Sequence, residues 1–416
     1  MSSFKRRHFL LLASSTLATL GLGQLGISQQ GSFDTKAYAQ NTPRKLALLV
    51  GINEYSDGVA QLSGCVNDVL LQRELLIHRF GFNPQDILTL TDKQATRKGI
   101  LQAFEEHLIK QAKPGDVVVF HFSGHGSRVI DADRDHPDGL VSSLVAVDSQ
   151  LASENSSSTK EVTGHTLWLL MAALKTENVT FVIDTIYSGG LVSSALKSSQ
   201  LKQKFQVSPE EKAYQASWLQ RLGLSVEEFI KQRRIGIPKG VVLASARRDQ
   251  FAIDASFNDF NAGLFTYTLT QYLWQQSRNQ TLGESFVNIA SNVKALSFEQ
   301  GNFQEPVLFV KPNSDYQQRP MYFIGVQTPR AEAVITQVKE NQIEIWLGGV
   351  NPKNLENLNQ GAVFEIINAE GQQQGIVKLE SRKGLVGYAK LLESPTSVSL
   401  KPGLLLREKV RATPSR

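Results

Sequence analysis

The sequence predicts an α/β domain, with a mostly parallel six-stranded sheet flanked by helices, followed by a small all-β, barrel-like domain. Three observations carry that prediction. Between residues 40 and 326, short β-branched-rich runs alternate with stretches whose apolar residues recur at helical spacing, the pattern of strands buried on both faces and joined by crossover helices. From residue 330 to 410 the pattern changes to alternating apolar and polar residues broken by turn signals, as in antiparallel strands. The chain has 416 residues, 41% hydrophobic and 20% charged, which is enough for one large core and a smaller second one and excludes a disordered chain.

Taken in order, residues 1–39 read as a cleaved leader. Lys5-Arg6-Arg7-His8-Phe9-Leu10 is a twin-arginine pattern, an apolar run follows, and Ala37-Tyr38-Ala39 is a small-residue cleavage triplet ahead of Gln40. Ser14, Ser15, Thr16, Thr19 and Gln24 interrupt a run already shorter than the roughly 20 residues a membrane span needs. The expectation is export by the twin-arginine route to the periplasm or an equivalent compartment, with no membrane association after cleavage. Lys5, Arg6, Arg7 and Lys36 against Asp34 account for +3 of the formal charge of +5, so the rest carries only +2 and gives no footprint for nucleic acid. Cys65 is the one cysteine, so no internal disulfide holds the fold.

The expected strands are residues 46–51, 87–90, 117–122, 179–183, 241–244 and 321–324, and the expected helices 66–80, 96–111, 163–175, 264–274 and 285–295. Thr96 suits a helix start and Gly81 a helix end. Residues 193–239 form a charged insertion carrying Lys202, Lys204, Arg221, Lys231, Arg233 and Arg234, read as an exposed helical flap with an apolar face at 226–230 and a mobile part at 203–215. Beyond residue 330, runs at 334–338, 342–346, 362–367, 376–379 and 387–391, separated by signals such as Gly348-Gly349, Glu370-Gly371 and Pro402-Gly403, suggest five or six short strands closing a small barrel. Its role is read only as binding or docking.

In open parallel sheets, chemistry collects at the carboxyl ends of the strands. Three such ends stand out: Asn53 with Gly64-Cys65-Val66-Asn67-Asp68, Ser123-Gly124-His125-Gly126, and Asp184-Thr185-Ile186-Tyr187-Ser188-Gly189. With Leu46-Ala47-Leu48-Leu49-Val50-Gly51-Ile52-Asn53, the acidic run to Asp138-Gly139 and Asp148, Leu243-Ala244-Ser245-Ala246 and Gly263-Leu264-Phe265-Thr266, these motifs resemble the caspase-like clan, most closely the metacaspases and their prokaryotic relatives, the orthocaspases. The resemblance covers residues 44 to 325 and implies a caspase-like fold.

In that family the His of Ser-Gly-His-Gly is the general base, and a Cys two residues after the Asp is the nucleophile. The resemblance therefore puts the base at His125 and the nucleophile position at Ile186, with Tyr187 where the family has a His. A sec-butyl group has neither a proton to lose nor a lone pair, and losing a nucleophile costs on the order of 10⁶ in rate. Thr185 and Ser188 flank the position without matching its direction, and both read as turn residues.

The resemblance also implies an acidic pocket for an Arg or Lys side chain, formed by Cys65, Asp68, Ser123 and Asp184. Two carboxylates facing one cavity suit a guanidinium; with the cavity empty they repel, and one pKa rises. Asn67-Asp68 equally suits a helix N-cap. The run from Asp131 to Asp138 invites a calcium reading, but His136 and Ser142 stand where an EF-hand needs Gly and Glu. Val141 and Ser142, and residues 191–194, lack the acids of the calcium-dependent relatives. Asp138 and Asp148 remain as candidate ligands, and the expectation is no cofactor and no calcium. The functional expectation is a pseudo-orthocaspase that recognises basic peptides or a protein partner without cleavage. The alternative is an active Arg/Lys-specific endopeptidase with an unrecognised nucleophile.

Overall fold

The computed structural model describes residues 43–55, 59–149, 158–159, 161–187, 206–257, 259–276, 280–339, 342–351, 354–355, 358, 361–393 and 399–410. The leader and its cleavage triplet, Ser188 and residues 193–205 lie outside the described residues.

In chain order the elements are β1 (Lys45–Gly51), α1 (Cys65–His78), β2 (Ile87–Thr91), α2 (Arg97–Ala103), β3 (Val117–Ile130), β4 (Leu140–Val145), β5 (Ser158–Thr159), β6 (Glu161–Thr163), α3 (Gly164–Ala173), β7 (Asn178–Tyr187), β8 (Gln206–Val207), α4 (Pro209–Leu222), α5 (Val226–Ile235), β9 (Val241–Ala244), the hairpin β10 (Asp254–Phe257) and β11 (Phe260–Gly263), α6 (Leu264–Gln275), α7 (Leu282–Glu299) and β12 (Val307–Val310). Six further strands follow: β13 (Ala333–Lys339), β14 (Gln342–Trp346), β15 (Val363–Ile367), β16 (Gln373–Lys383), β17 (Val386–Glu393) and β18 (Leu405–Val410).

The main sheet runs β12-β9-β7-β3-β1-β2, with β4 and β6 extending it to eight strands. Its four inner pairings are parallel and β12 is antiparallel to β9. Alternation along the strands sends Ala47, Leu49, Val119, Val182 and Leu243 to the face covered by α1, α6 and α7, and Leu48, Phe120, Phe122 and Phe181 to the face covered by α2, α3, α4 and α5. The C-terminal strands close into a barrel in the order β13-β14-β17-β16-β15-β18, whose core is continuous with the α6 face of the main domain. Among the described residues no helix is long and apolar enough to cross a membrane.

Three expectations change. The sixth sheet strand is Val307–Val310, whereas Met321–Phe323 forms a 3-10 turn in which Tyr322 adopts φ 54° and Met321 and Tyr322 are buried. A buried hydrogen bond of 3.0 Å from Tyr322 Oη to Gln72 accompanies that conformation. Second, β3 does not stop at Phe122: Ser123, Gly124, His125 and Gly126 continue the strand, paired in register with residues 184–187 of β7. Third, residues 209–215 are helical, within α4. Glu211 there is buried, pairs with Arg97, and accepts from Thr163 N (2.9 Å), Thr163 Oγ1 (2.8 Å) and Thr166 Oγ1. What the sequence presents as a flap is anchored in the second core by Trp218 and Phe229.

Candidate functional site

The parallel register places Gly51, Ser123 and Asp184 side by side, and one step further aligns His125 with Ile186. Registered residues of parallel neighbours share a face, so Ser123, His125, Asp184 and Ile186 all point toward α1 and α6, while Thr185 points to the other face. Gly51 is the gap through which α1 enters: a β-carbon there would stand 2.4 Å from the Cys65 carbonyl oxygen. The first turn of α1 is thereby pressed onto the strand ends, bringing Asp68 over Ser123. Asn53 caps that helix, its Oδ1 accepting from Cys65 N (2.8 Å) and Val66 N (3.3 Å). The capping role is thus Asn53's, not that of Asn67-Asp68.

Asp68 and Asp184 converge on the N-terminus of α6. Asp68 accepts from Gly263 N through Oδ1 (2.9 Å) and from Ser123 Oγ through Oδ2 (2.6 Å); Asp184 Oδ2 accepts from Thr266 N (3.0 Å) and Thr266 Oγ1 (2.7 Å). The helix dipole supplies part of the positive potential these carboxylates need. Gly263 leaves room for both carboxylates, since a β-carbon would lie 2.3 Å from Asp184 Oδ2 and 2.7 Å from Asp68 Oδ2. The side chain of Asp184 retains one buried acceptor, Oδ1, without a hydrogen-bond partner among the described residues, although Ser245 lies near enough to favour its charged form. Burial, followed by the charge of Asp184, pushes Asp68 well above the usual carboxylate range; burial is also the main force raising Asp184. Two carboxylates this close, with no cation paired to either among the described residues, repel one another, and burial favours their protonated forms.

A third acid, Asp254 on β10, belongs to the same cluster and was not singled out by the sequence. Its Oδ2 accepts from Ser63 N (2.7 Å), and its charge raises the pKa of Asp68, Asp184 and Cys65. Oδ1 makes no hydrogen bond of ordinary geometry, though the Gly64 amide is near enough to favour ionisation. The signal that could have found it is position: Asp254 precedes by nine residues the Gly263-Leu264-Phe265-Thr266 motif that closes the pocket.

His125 is buried and its Nε2 donates to the Ala60 carbonyl (2.8 Å), which leaves Nδ1 without a hydrogen-bond partner among the described residues. Its backbone N–H donates to Tyr55 Oη (2.7 Å), whose ring lies 4.8 Å away. Burial lowers the imidazole pKa, with the Ala60 and Ile186 carbonyls and the Asp254 charge pulling the other way, so the ring is a neutral base at pH 7. Beside it stands the hydrocarbon of Ile186. Cys65 is 1% exposed and burial, then Asp68, raises its thiol well above the ordinary value, the reverse of an activated nucleophile. β7 ends at Tyr187, whose side chain lies outside the described residues.

The candidate cation ligands do not come together. Asp138 is held by Arg248 at 2.8 and 3.0 Å, which keeps its pKa at about 2, and Asp148 Oδ1 accepts from Arg97 N (2.7 Å) at the start of α2. Among the described residues only Asp131, Asp133 and His165 bring three ligand atoms within 4.8 Å of one another, and Arg233 already pairs with Asp133 (2.7 Å) and Asp135 (2.9 Å) there. These residues do not fit a calcium cage. A cavity of about 710 Å³ opens on the opposite face of the sheet, lined by Trp168, Met171, Ile183, Thr185, Val242 and Phe309, and none of the three clustered acids reaches it.

Residues 44–324 match the family model described as Caspase domain. The chain is 41% identical over 121 residues to metacaspase-1B of Aspergillus clavatus, covering 28% of this chain and 29% of that protein. It is also 41% identical over 121 residues to metacaspase-1 of Yarrowia lipolytica, covering 28% and 26%. The matched stretch spans less than a third of these relatives' own length. Among solved structures, caspase-1 from Spodoptera frugiperda aligns over 64% of this chain and 86% of its own at TM-score 0.37 and 11% identity. A protein from Geobacter sulfurreducens aligns over 68% and 99% at TM-score 0.44 and 18% identity.

Proposed function

Because the chain belongs to the caspase domain family, we propose that it recognises an arginine or lysine side chain of a peptide or protein partner and does not cleave it. The observation that carries this reading is the pairing of His125 with Ile186 in adjacent registered strands. The base position faces a side chain without a nucleophile, and the one thiol, Cys65, is buried and disfavours the thiolate. Thr185 lies on the opposite face of the sheet from His125. Recognition is supported by the acids: Asp68, Asp184 and Asp254 form one cluster without a cation partner among the described residues. A guanidinium, permanently charged and planar, would favour the ionised carboxylates and engage Asp184 Oδ1. Export through the twin-arginine route belongs to this reading on the strength of Lys5-Arg6-Arg7, as does a partner that is neither nucleic acid nor membrane.

Calorimetric titration with an arginyl peptide and its citrulline counterpart tests the reading. Binding of the arginyl peptide alone, weakened at least tenfold by Asp184→Asn, is expected. Equal binding of the two peptides, or indifference to Asp184→Asn, would make the acidic pocket a relic.

A further inference from the structure

Two walls of the acidic pocket are carried by elements that also touch the C-terminal barrel. The β10–β11 hairpin bears Asp254 at one end and Gly263 at the other, and α6 bears Thr266. At the turn of that hairpin, Asp259 Oδ1 receives Arg382 Nη1 (2.7 Å), from the end of β16, and Oδ2 receives Gly384 N (2.6 Å), from the β16–β17 connection of the barrel. Arg382 is itself fixed: its side chain is 10% exposed and the same nitrogen donates to the Gly384 carbonyl (2.7 Å). Gly384 adopts φ 58°, a left-handed conformation that aims its N–H at Asp259 and suits glycine. Inside the hairpin, Phe257 and Phe260 stack at 5.3 Å and both pack edge-on against Tyr267 of α6. Tyr267 Oη donates to the Val350 carbonyl (2.9 Å) and Gln275 Nε2 to the Gly349 carbonyl (2.8 Å), so α6 is tied to the barrel along its length.

From this arrangement we infer that the barrel completes the acidic pocket at one remove: Arg382 and Gly384 are positioning residues that hold the β10–β11 hairpin where Gly263 N meets Asp68 and Asp254 faces the cluster. Its ligand readout rests on the pocket reading above; its structural readout does not. The hairpin has only two strands; its pocket end is held by Ser63 N on Asp254 (2.7 Å) and by Asn67 Nδ2 on the Asn261 carbonyl (2.6 Å), and its turn is held by the barrel. Asp259 and Gly263 are four residues apart, about 13 Å of strand, close enough for a freed turn to carry its motion to the pocket.

Amide hydrogen exchange on the full chain tests this. In Arg382→Ala, the Gly263 and Thr266 amides, which donate to Asp68 and Asp184, are expected to exchange at least tenfold faster. Amides of β1 and of the barrel strand β17 should be unchanged, and Arg382→Lys, which keeps the charge, should restore protection. Asp259→Asn, which keeps an acceptor for Gly384 N, provides the milder second variant, with an intermediate effect expected. In the binding arm, arginyl-peptide affinity should fall at least fivefold in Arg382→Ala and recover in Arg382→Lys. Unchanged exchange at Gly263 and Thr266 in Arg382→Ala would overturn the inference, as would acceleration spread evenly through the barrel. Wild-type protein that binds no peptide would sink the pocket reading alone, leaving the exchange result to decide the clamp.

Discussion

Lowering the pH from 7 to 5 should weaken an arginyl peptide about tenfold, and the titration of Asp184 sets that number. Burial raises Asp184 in the empty pocket to about 6. By the titration curve, roughly one molecule in eleven is then ionised at pH 5 and ten in eleven at pH 7; a guanidinium that binds only the ionised form loses affinity in that ratio. The ligand's own charge is constant over this range. Burial also raises Asp68 and Asp254 and lowers His125. The stability of the empty protein carries the same signature with opposite sign. A carboxyl whose folded pKa exceeds its unfolded value of 3.8 stabilises the fold fully below that value and loses the contribution as pH rises through the folded pKa, about 6 for Asp184. Buried His121, at about 3, opposes this: it contributes stability above 6.5 that is lost as pH falls. The difference between wild type and Asp184→Asn therefore isolates the carboxyl. Calorimetry at pH 7 and 5, in buffers of differing ionisation enthalpy, should show proton release on binding at pH 6. An affinity that is flat across this range, or tighter at pH 5, would refute this account of Asp184.

Other perturbations follow from the same contacts. Gly263→Ala places a methyl group within 2.3 Å of Asp184 Oδ2; it should cost about 1–3 kcal/mol in urea unfolding and abolish peptide binding, and a neutral result would mean that the hairpin is free to move. Glu211→Ala leaves Arg97 and the Thr163 amide without their buried acceptor and should cost about 3–5 kcal/mol, whereas a loss below about 1 would make residues 209–235 a dispensable flap. Ile186→Cys places a thiol beside the neutral ring of His125. Iodoacetamide should then label one site per native chain, while wild type, with only Cys65 at 1% exposure, stays unlabelled; an unlabelled variant would show that the base no longer serves that position.

The strands and helices of the main domain were legible because buried parallel strands and their helices impose strong, distinct periodicities. What escaped was set by tertiary contact. Ser123-Gly124-His125-Gly126 has the composition of a turn yet runs on as strand, because β7 pairs with it residue for residue. Residues 321–324 have strand-like composition, but Tyr322 is held in a left-handed conformation with its hydroxyl on Gln72, while Val307–Val310 takes the sheet edge. Cys65, Asp68, Ser123 and Asp184 lie together in one cluster. Asn53 and Gly263 stand in motifs that the sequence singles out, but the cap on α1 and the close approach to both carboxylates are seen only across elements; for Asp254 the one local signal is its place nine residues before Gly263. Nor does sequence reveal that the barrel reaches back to Asp259, since Arg382 lies 123 residues away.

The central claim, recognition without cleavage, is tested most directly by incubating the purified protein with an arginyl fluorogenic peptide, with and without calcium, and analysing the peptide by mass spectrometry. The account predicts a bound peptide recovered intact under both conditions. Turnover that disappears in His125→Ala would contradict it.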